Sequence, residues 1–362
     1  MAGPYVLIFH RRGADGDAPL VRLLAEVRGE LAERQARLFE RAGASEVRIQ
    51  TEWHADKAFG DMLAHLAPTR GGLIVLGSGA VPLLSGRDAR RLVDLAGSGL
   101  RRALTNNRYS SDICAVGRAA DLRSVPSLPS DNALPRWLEE HARYAVDELP
   151  GRERLALDLD TPLDIALAAL APGAPRWLRR ASSEHGLAVP RLPELRALAA
   201  DPHAELLVFG RSGSRTLRWL ERNVRCRVRF MAEERGLRAS SPLAIGGPSP
   251  ANGRKPRASL GLLLDDRGAS ALAGVVGELA EGAILDSRVL IAHRLGADEG
   301  KWPADVDRFA SDLHRPADIG DQWLRELTQS AADADLPILF GGHSLVGPGV
   351  PLLLRGAAAS RP

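Results

Sequence analysis

The stretch LALDLDTPLDIA, residues 155–166, carries three carboxylates, Asp158, Asp160 and Asp164. Leu155, Leu157 and Leu159 alternate with Ala156, Asp158 and Asp160, the period of a half-buried strand. On such a strand Asp158 and Asp160 share one side at the carboxyl end, where open α/β sheets place their ligands. Thr161, Pro162 and Asp164 have a local reading. Thr161 caps a helix, Pro162 takes its first turn, and Asp164 complements the positive end of its dipole.

A second set of candidates lies in the carboxyl-terminal half: Asp286, His293, Asp307, Asp312, His314 and His343. Metal or general-base chemistry needs imidazole and carboxylate to converge. His293 and His343 each end an expected strand, and with Asp286 they are the second-half site candidates. Asp286 and His293 are seven apart, hence on opposite faces if both belong to one strand. Asp307 and Asp312 diverge around a helix whose apolar stripe is Val306, Phe309 and Leu313, so both acids are expected in solvent. GGHSLVG, residues 341–347, resembles a G-x-S-x-G nucleophile elbow with Ser344 as nucleophile. Against that stand Val346 in place of the last glycine, a GPGVP stretch where a helix should follow, and no acid or histidine after Ser344. A turn ending a strand is expected instead. The basic loop NGRKPR, residues 252–257, could touch a phosphate but reads as exposed.

The elements that must position these groups alternate. Strands are expected over residues 5–10, 46–51, 72–76, 104–107, 113–116 and the LALDLD segment. Helices are expected over 20–42, 56–66, 87–95, 134–147 and up to 170. This implies an α/β fold with a mostly parallel, Rossmann-like sheet flanked by helices. The turn PGAP, 172–175, reads as a boundary between a domain at 1–172 and a second α/β domain at 176–362. In the latter, strands are expected over 204–210, 225–232, 261–264, 288–293 and 336–340. Helices are expected over 216–223, 306–313 and 322–332, and a flexible loop over 240–257.

Global properties bound the function. At 362 residues two domains are the better expectation, and 45% hydrophobic with 26% charged residues is ordinary globular composition. Only Lys57, Lys255 and Lys301 are lysines among 48 basic residues, and the formal charge is only +3. Arginine preference is thus poor evidence for nucleic-acid binding, and aromatics at 4% offer few stacking platforms. Cys114 and Cys226 suggest neither zinc site nor disulfide framework. With no signal-like or membrane-length apolar run, a cytoplasmic protein without membrane partner is expected.

From about residue 5 to 171 the order of elements resembles the MobA-like nucleotidyltransferases, and within them the 2-phospho-L-lactate guanylyltransferases of coenzyme F420 biosynthesis. LALDLDTPLDIALAAL resembles that family's closing strand and helix. LIVLGSGAVPLLSGRDARRLV, residues 73–93, is similar to its central strand and Pro-Leu-Leu turn, and ALTNNRYSSDICAV, 103–116, to a loop before a strand. The resemblance implies transfer of a nucleotidyl group from an NTP to a small phosphorylated acceptor. It implies Asp158 and Asp160 as catalytic, Mg²⁺-holding residues. It also implies nucleotide contacts at Arg11, Arg12, Gly13, Gly77, Ser78 and Asn107, with Gly60 at the base pocket. Two departures stand out. Ala80 occupies the place of a metal-binding Asp, and HRRGADGDAP offers arginines where the family has a Lys. A non-catalytic nucleotide-binding or regulatory protein is the alternative, as is a metal-dependent activity in the second half; an oligomer is compatible with each.

Overall fold

The structure, a computed structural model, describes residues 3–52, 58–128, 130–233 and 255–356. The described residues divide into two compact units, one up to Leu159 and one from Asp160. Both are α/β. The 172–175 turn lies inside the second unit, where the helices on either side of it, Pro162–Ala169 and Arg176–Glu184, pack on each other. The reason is that PLDIALAA is buried nearly all round and needs cover on every side, which a Pro-Gly turn does not reveal.

The first unit holds a mixed sheet of β1 (Tyr5–Phe9), β2 (Glu46–Gln50), β3 (Leu73–Gly77), β4 (Arg102–Thr105), β5 (Ile113–Val116) and β6 (Ala145–Glu148). Their order is β2-β1-β3-β5-β4-β6, and β5 alone runs antiparallel to its neighbours. The continuous apolar runs of β1 and β3 follow from cover on both faces. Leu7 and Phe9 pack with Phe59, Leu63 and Leu138 on one side. Val6 and Ile8 pack with Ala32, Phe39 and Leu92 on the other, as the two-residue side-chain period requires. Each such large side chain contributes ~1.5–3 kcal/mol on burial.

Two expectations for this unit are corrected. The helix begun at Leu134 ends at Glu140, and β6 forms on β4 instead, after Arg143 turns the chain at a φ of 56°. LALDLD is not a strand. Arg152–Leu155 is a helical turn, and only Asp158 makes a bridge, antiparallel to Ala80. Leu155, Leu157 and Leu159 are all buried, so the alternation reports burial without a ladder.

The second unit holds a parallel sheet in the order β10-β9-β7-β8, made of β7 (Glu205–Gly210), β8 (Arg227–Ala232), β9 (Gly282–Asp286) and β10 (Ile338–Gly341). The strands expected at 261–264 and 288–293 are helices, Ser259–Arg267 and Ser287–Leu295. Leucine-rich runs this short fit either state. The true strand lies one step earlier, and Asp286 ends it by accepting from the Arg288 N–H as a helix cap. Of the expected 240–257 loop, residues up to 254 lie outside the described residues; Lys255 and Arg257 bond Arg294 O and Asp265. Among the described residues no helix is long and apolar enough to cross a membrane.

Candidate functional site

In the first unit the chain runs from β1 to β2 on one side and then to β3 on the other, so the topological switch point lies between β1 and β3. Two bonds close this point at the carboxyl ends. Ser78 N–H donates to Phe9 O at 2.8 Å, and His10 Nδ1 lies 3.0 Å from Ser78 Oγ. Burial lowers the His10 pKa, and the charges of Arg12 and Arg28 lower it further. His10 thus sits at the switch point with two guanidiniums acting on it. Arg11, Arg12 and Gly13 follow directly and are exposed.

The turn after β3 is pinned from both flanks. Gln35 Nε2 donates to Ala80 O at 2.6 Å, and Leu159 N–H donates to Gly79 O at 3.0 Å. Val81 sits at a φ of 43°, a costly position for a β-branched residue, held by this surrounding structure. Gly79 is required. A Cβ there would lie 2.8 Å from Asp158 Oδ1 and 2.9 Å from Arg28 Nε. Arg28 in turn donates from Nε to Leu159 O at 2.6 Å. Asp158 thus lies against the Gly77–Ser78–Gly79 turn, with a guanidinium close by.

This donor set does not fit a magnesium ion. Ala80 is part of the apolar core, and Arg28 already supplies positive charge beside Asp158. Among the described residues no group of three carboxylate, imidazole or thiol side chains could hold a metal. Cys114 and Cys226 are buried free thiols.

Two nucleotide candidates have structural work. Gly60 lies inside the helix Phe59–Leu66, and a Cβ there would meet Pro126 O at 2.0 Å. Its N–H donates to Leu128 O, so Gly60 is a backbone-packing position. Asn107 Oδ1 accepts from Tyr109 N–H and shapes the loop after β4.

In the second unit the structure separates one candidate from the rest. His293 is buried in the helix Ser287–Leu295, accepts from Ala258 N–H through Nδ1, and has Nε2 3.1 Å from Asp265. It fastens two helices together and ends no strand. Asp307 and Asp312, expected in solvent, are buried. Asp307 accepts from Gly320 and Asp321 N–H groups, and Asp312 pairs with buried Arg288. His314 lies edge-on to Phe340, and burial pushes its pKa down to about 4. Asp286 ends β9 and His343 lies just beyond β10, where the His343 charge acts on Asp286 and Asp160 is 3.9 Å from the His343 ring.

Asp164 is the group whose chemistry departs most from its local reading. It completes a capping box, accepting from Asp160 and Thr161 N–H groups and the Thr161 hydroxyl. Full burial, reinforced by the charges of Asp160 and Asp312, nevertheless pushes its pKa up to about 8. Ser344 is 1% exposed, with the φ and ψ of an ordinary helix. A π-turn, Leu345–Gly349, and the helix Val350–Leu354 follow it, so a helix is present after all, but the serine lacks the exposed, strained geometry of an elbow.

The sequence did not flag His10, Arg28, Arg211 or Arg288. His10 ends a strand, a signal that was open to use. Arg28 sits mid-helix among other arginines, and nothing local marks it. Comparison with family models, curated proteins and solved structures finds no match to this chain.

Proposed function

We propose that the first unit binds a nucleoside triphosphate at its carboxyl edge, as its resemblance to MobA-like nucleotidyltransferases implies. The observation that carries this reading is the convergence, at one switch point, of the β1 loop with Arg12, the Ser78 turn, and Arg28. Arg11 and Arg12 are suited to chelate phosphate oxygens, and backbone N–H groups around Gly13 can approach them closely. Nucleotidyl transfer follows if an acceptor phosphate attacks the α-phosphorus in line, forming the new P–O bond as pyrophosphate leaves with its electrons. In that step the arginines stabilise the charge that develops on pyrophosphate.

A second reading is favoured by the Ala80 core position and by Arg28: a protein that binds nucleotide without turnover. Calorimetry of the full chain with GTP, ATP and CTP, with Mg²⁺ and with chelator, tests binding. Incubation with a phosphorylated hydroxy acid and detection of pyrophosphate tests transfer. Absence of binding for every nucleotide in both conditions rejects both readings.

A further inference from the structure

The second unit gathers buried ionisable groups at one place. β7 is followed by β8 on one side, and β9 lies on its other side, so the switch point of this sheet falls between β7 and β9. Arg211 directly follows β7, and Asp286 is the last residue of β9. They form a fork, Nε to Oδ2 at 2.6 Å and Nη2 to Oδ1 at 3.0 Å. Gly210 lets them approach: its φ is 127°, and a Cβ there would lie 2.2 Å from the Asp286 Cβ. Behind them Arg288 pairs with Asp312 and bonds Ser287 Oγ at 2.9 Å.

After β10 the chain adds Gly342 and His343. A Cβ on Gly342 would sit 3.8 Å from Arg211 Nη2. The His343 charge acts on Asp286, and its Nδ1 is 3.9 Å from Asp160 Oδ2. Side-chain exposure rises along this series, from 0% at Asp286 and 16% at Arg211 to 38% at His343 and 48% at Asp160. The groups form a path from the core to solvent.

Stability does not account for this arrangement. A buried ion pair is commonly no better than apolar residues of the same volume, and two stand here side by side. A different property follows from the fork. Its bonds to Asp286 occupy Nε and one Nη2 hydrogen, and a guanidinium has five N–H groups. A guanidinium clamped along one edge offers the remaining donors in a fixed geometry, which suits a carboxylate or phosphate. Arg211 pairs with Asp286 and Arg288 with Asp312, and Asp160 lies 3.9 Å from the His343 ring.

We propose that the carboxyl edge of this four-stranded sheet is a binding site that takes a small metabolite by its oxyanion group on Arg211 and His343. Asp160 orients the imidazole. The group is a carboxylate or a phosphate, and the two are separated by experiment.

The test uses the full chain labelled with ¹⁵N-histidine, with the His343 ring signal assigned by its loss in His343→Gln. Sodium phosphate and sodium acetate are titrated separately, with sodium chloride as the ionic-strength control. The His343 signal should move saturably with one of the two anions and not with chloride; the effective anion names the source. In the paired variant Arg211→Met with Asp286→Leu, which leaves no lone buried charge, affinity should fall about 10- to 100-fold, the loss of a charged hydrogen-bonded contact. Arg211→Lys, which keeps a cation on Asp286 but loses the fork, should bind more weakly than wild type and serves if the paired variant does not fold. No movement of His343 with either anion overturns the proposal, as does wild-type affinity in Arg211→Lys or the paired variant.

Discussion

Ala80 and Asp158 face each other across an isolated antiparallel bridge, and Ala80 is 2% exposed within an apolar cluster of Ile8, Leu76 and Val81. Side chains directly opposite in such a pair lie about 5 Å apart at Cβ. An acid at position 80 would therefore be buried and set against a like charge. Ala80→Asp should destabilise the protein by at least about 2 kcal/mol, read as a lower urea midpoint. Ala80→Ser, nearly the same size and uncharged, should cost less. A midpoint for Ala80→Asp equal to wild type counts against this, as does Mg²⁺ raising the variant's midpoint more than the wild type's. Either result would place a cation between the two acids.

Asp164 couples stability to pH. Its pKa lies near 8 in the folded protein, against 3.8 for the free side chain, so between these values the folded state holds a proton that the unfolded state has released. Stability contributed by this group is thus full below about pH 4 and is lost as pH rises towards 8. Asp164→Asn keeps an oxygen for the Thr161 N–H and does not titrate. The difference in unfolding free energy, variant minus wild type, should grow by more than about 1 kcal/mol from pH 5 to 8, the equivalent of one unit of pKa shift. A constant difference across that range would show Asp164 ionised throughout.

Much of the architecture was legible because the pattern and the physics agree locally. YVLIF, LIVLG and ELLVFG are apolar runs bounded by glycine or polar turns, and each became a central strand. Ser85 with Asp88 and Thr161 with Asp164 are capping boxes readable from spacing alone. What failed was decided at a distance. SRVLIAHRL reads equally as strand or helix until Asp286 caps it, and LALDLD alternates without a neighbour to pair with beyond Ala80. Site residues follow the same division. Strand-end groups such as Ser78 and His343 could be suspected from the sequence, whereas Asp286 stood outside any expected strand. Arg28 meets Gly79 across about fifty residues, and Arg288 meets Asp312 across 24, through folding alone.

Ser344 should not be a nucleophile. Its oxygen is buried, and its backbone is unstrained helix. A fluorophosphonate probe should leave it unlabelled. Ser344→Ala should change any activity of the protein by no more than a few-fold, with at most about 1 kcal/mol lost in stability, the net worth of a typical hydrogen bond. Stoichiometric labelling at Ser344 would refute this.

Arg288 and Asp312 should show strong non-additivity. Asp312→Asn leaves a buried guanidinium without its counter-charge and should cost about 3–5 kcal/mol. Arg288→Met alone should cost a similar amount by stranding Asp312. The double variant Arg288→Met with Asp312→Leu removes both charges and should recover most of the loss. Additive single-variant costs in urea unfolding would mean that each group is independently solvated.

Asp158→Asn separates two roles for the acidic wall of the first unit. If Asp158 held a metal against a triphosphate, removing its charge would weaken nucleotide binding, and chelation would weaken it further. The geometry points the other way. Arg28 already stands beside Asp158, and Arg12 and Arg28 both act on His10 at the switch point. The positive charge facing a triphosphate is then guanidinium, partly offset by Asp158. Asp158→Asn should leave affinity unchanged or tighten it by up to about tenfold, within the 1.4 kcal/mol that a modest charge effect supplies. Arg12→Ala should weaken affinity by about 10- to 100-fold, as expected for a lost charged contact to phosphate. Chelation of Mg²⁺ should move the wild-type affinity less than Arg12→Ala does. Calorimetry with one nucleotide under these four conditions reads the sign directly. Weakened binding in Asp158→Asn, matched by the effect of chelation, would restore the carboxylate as a metal ligand and remove the arginine account.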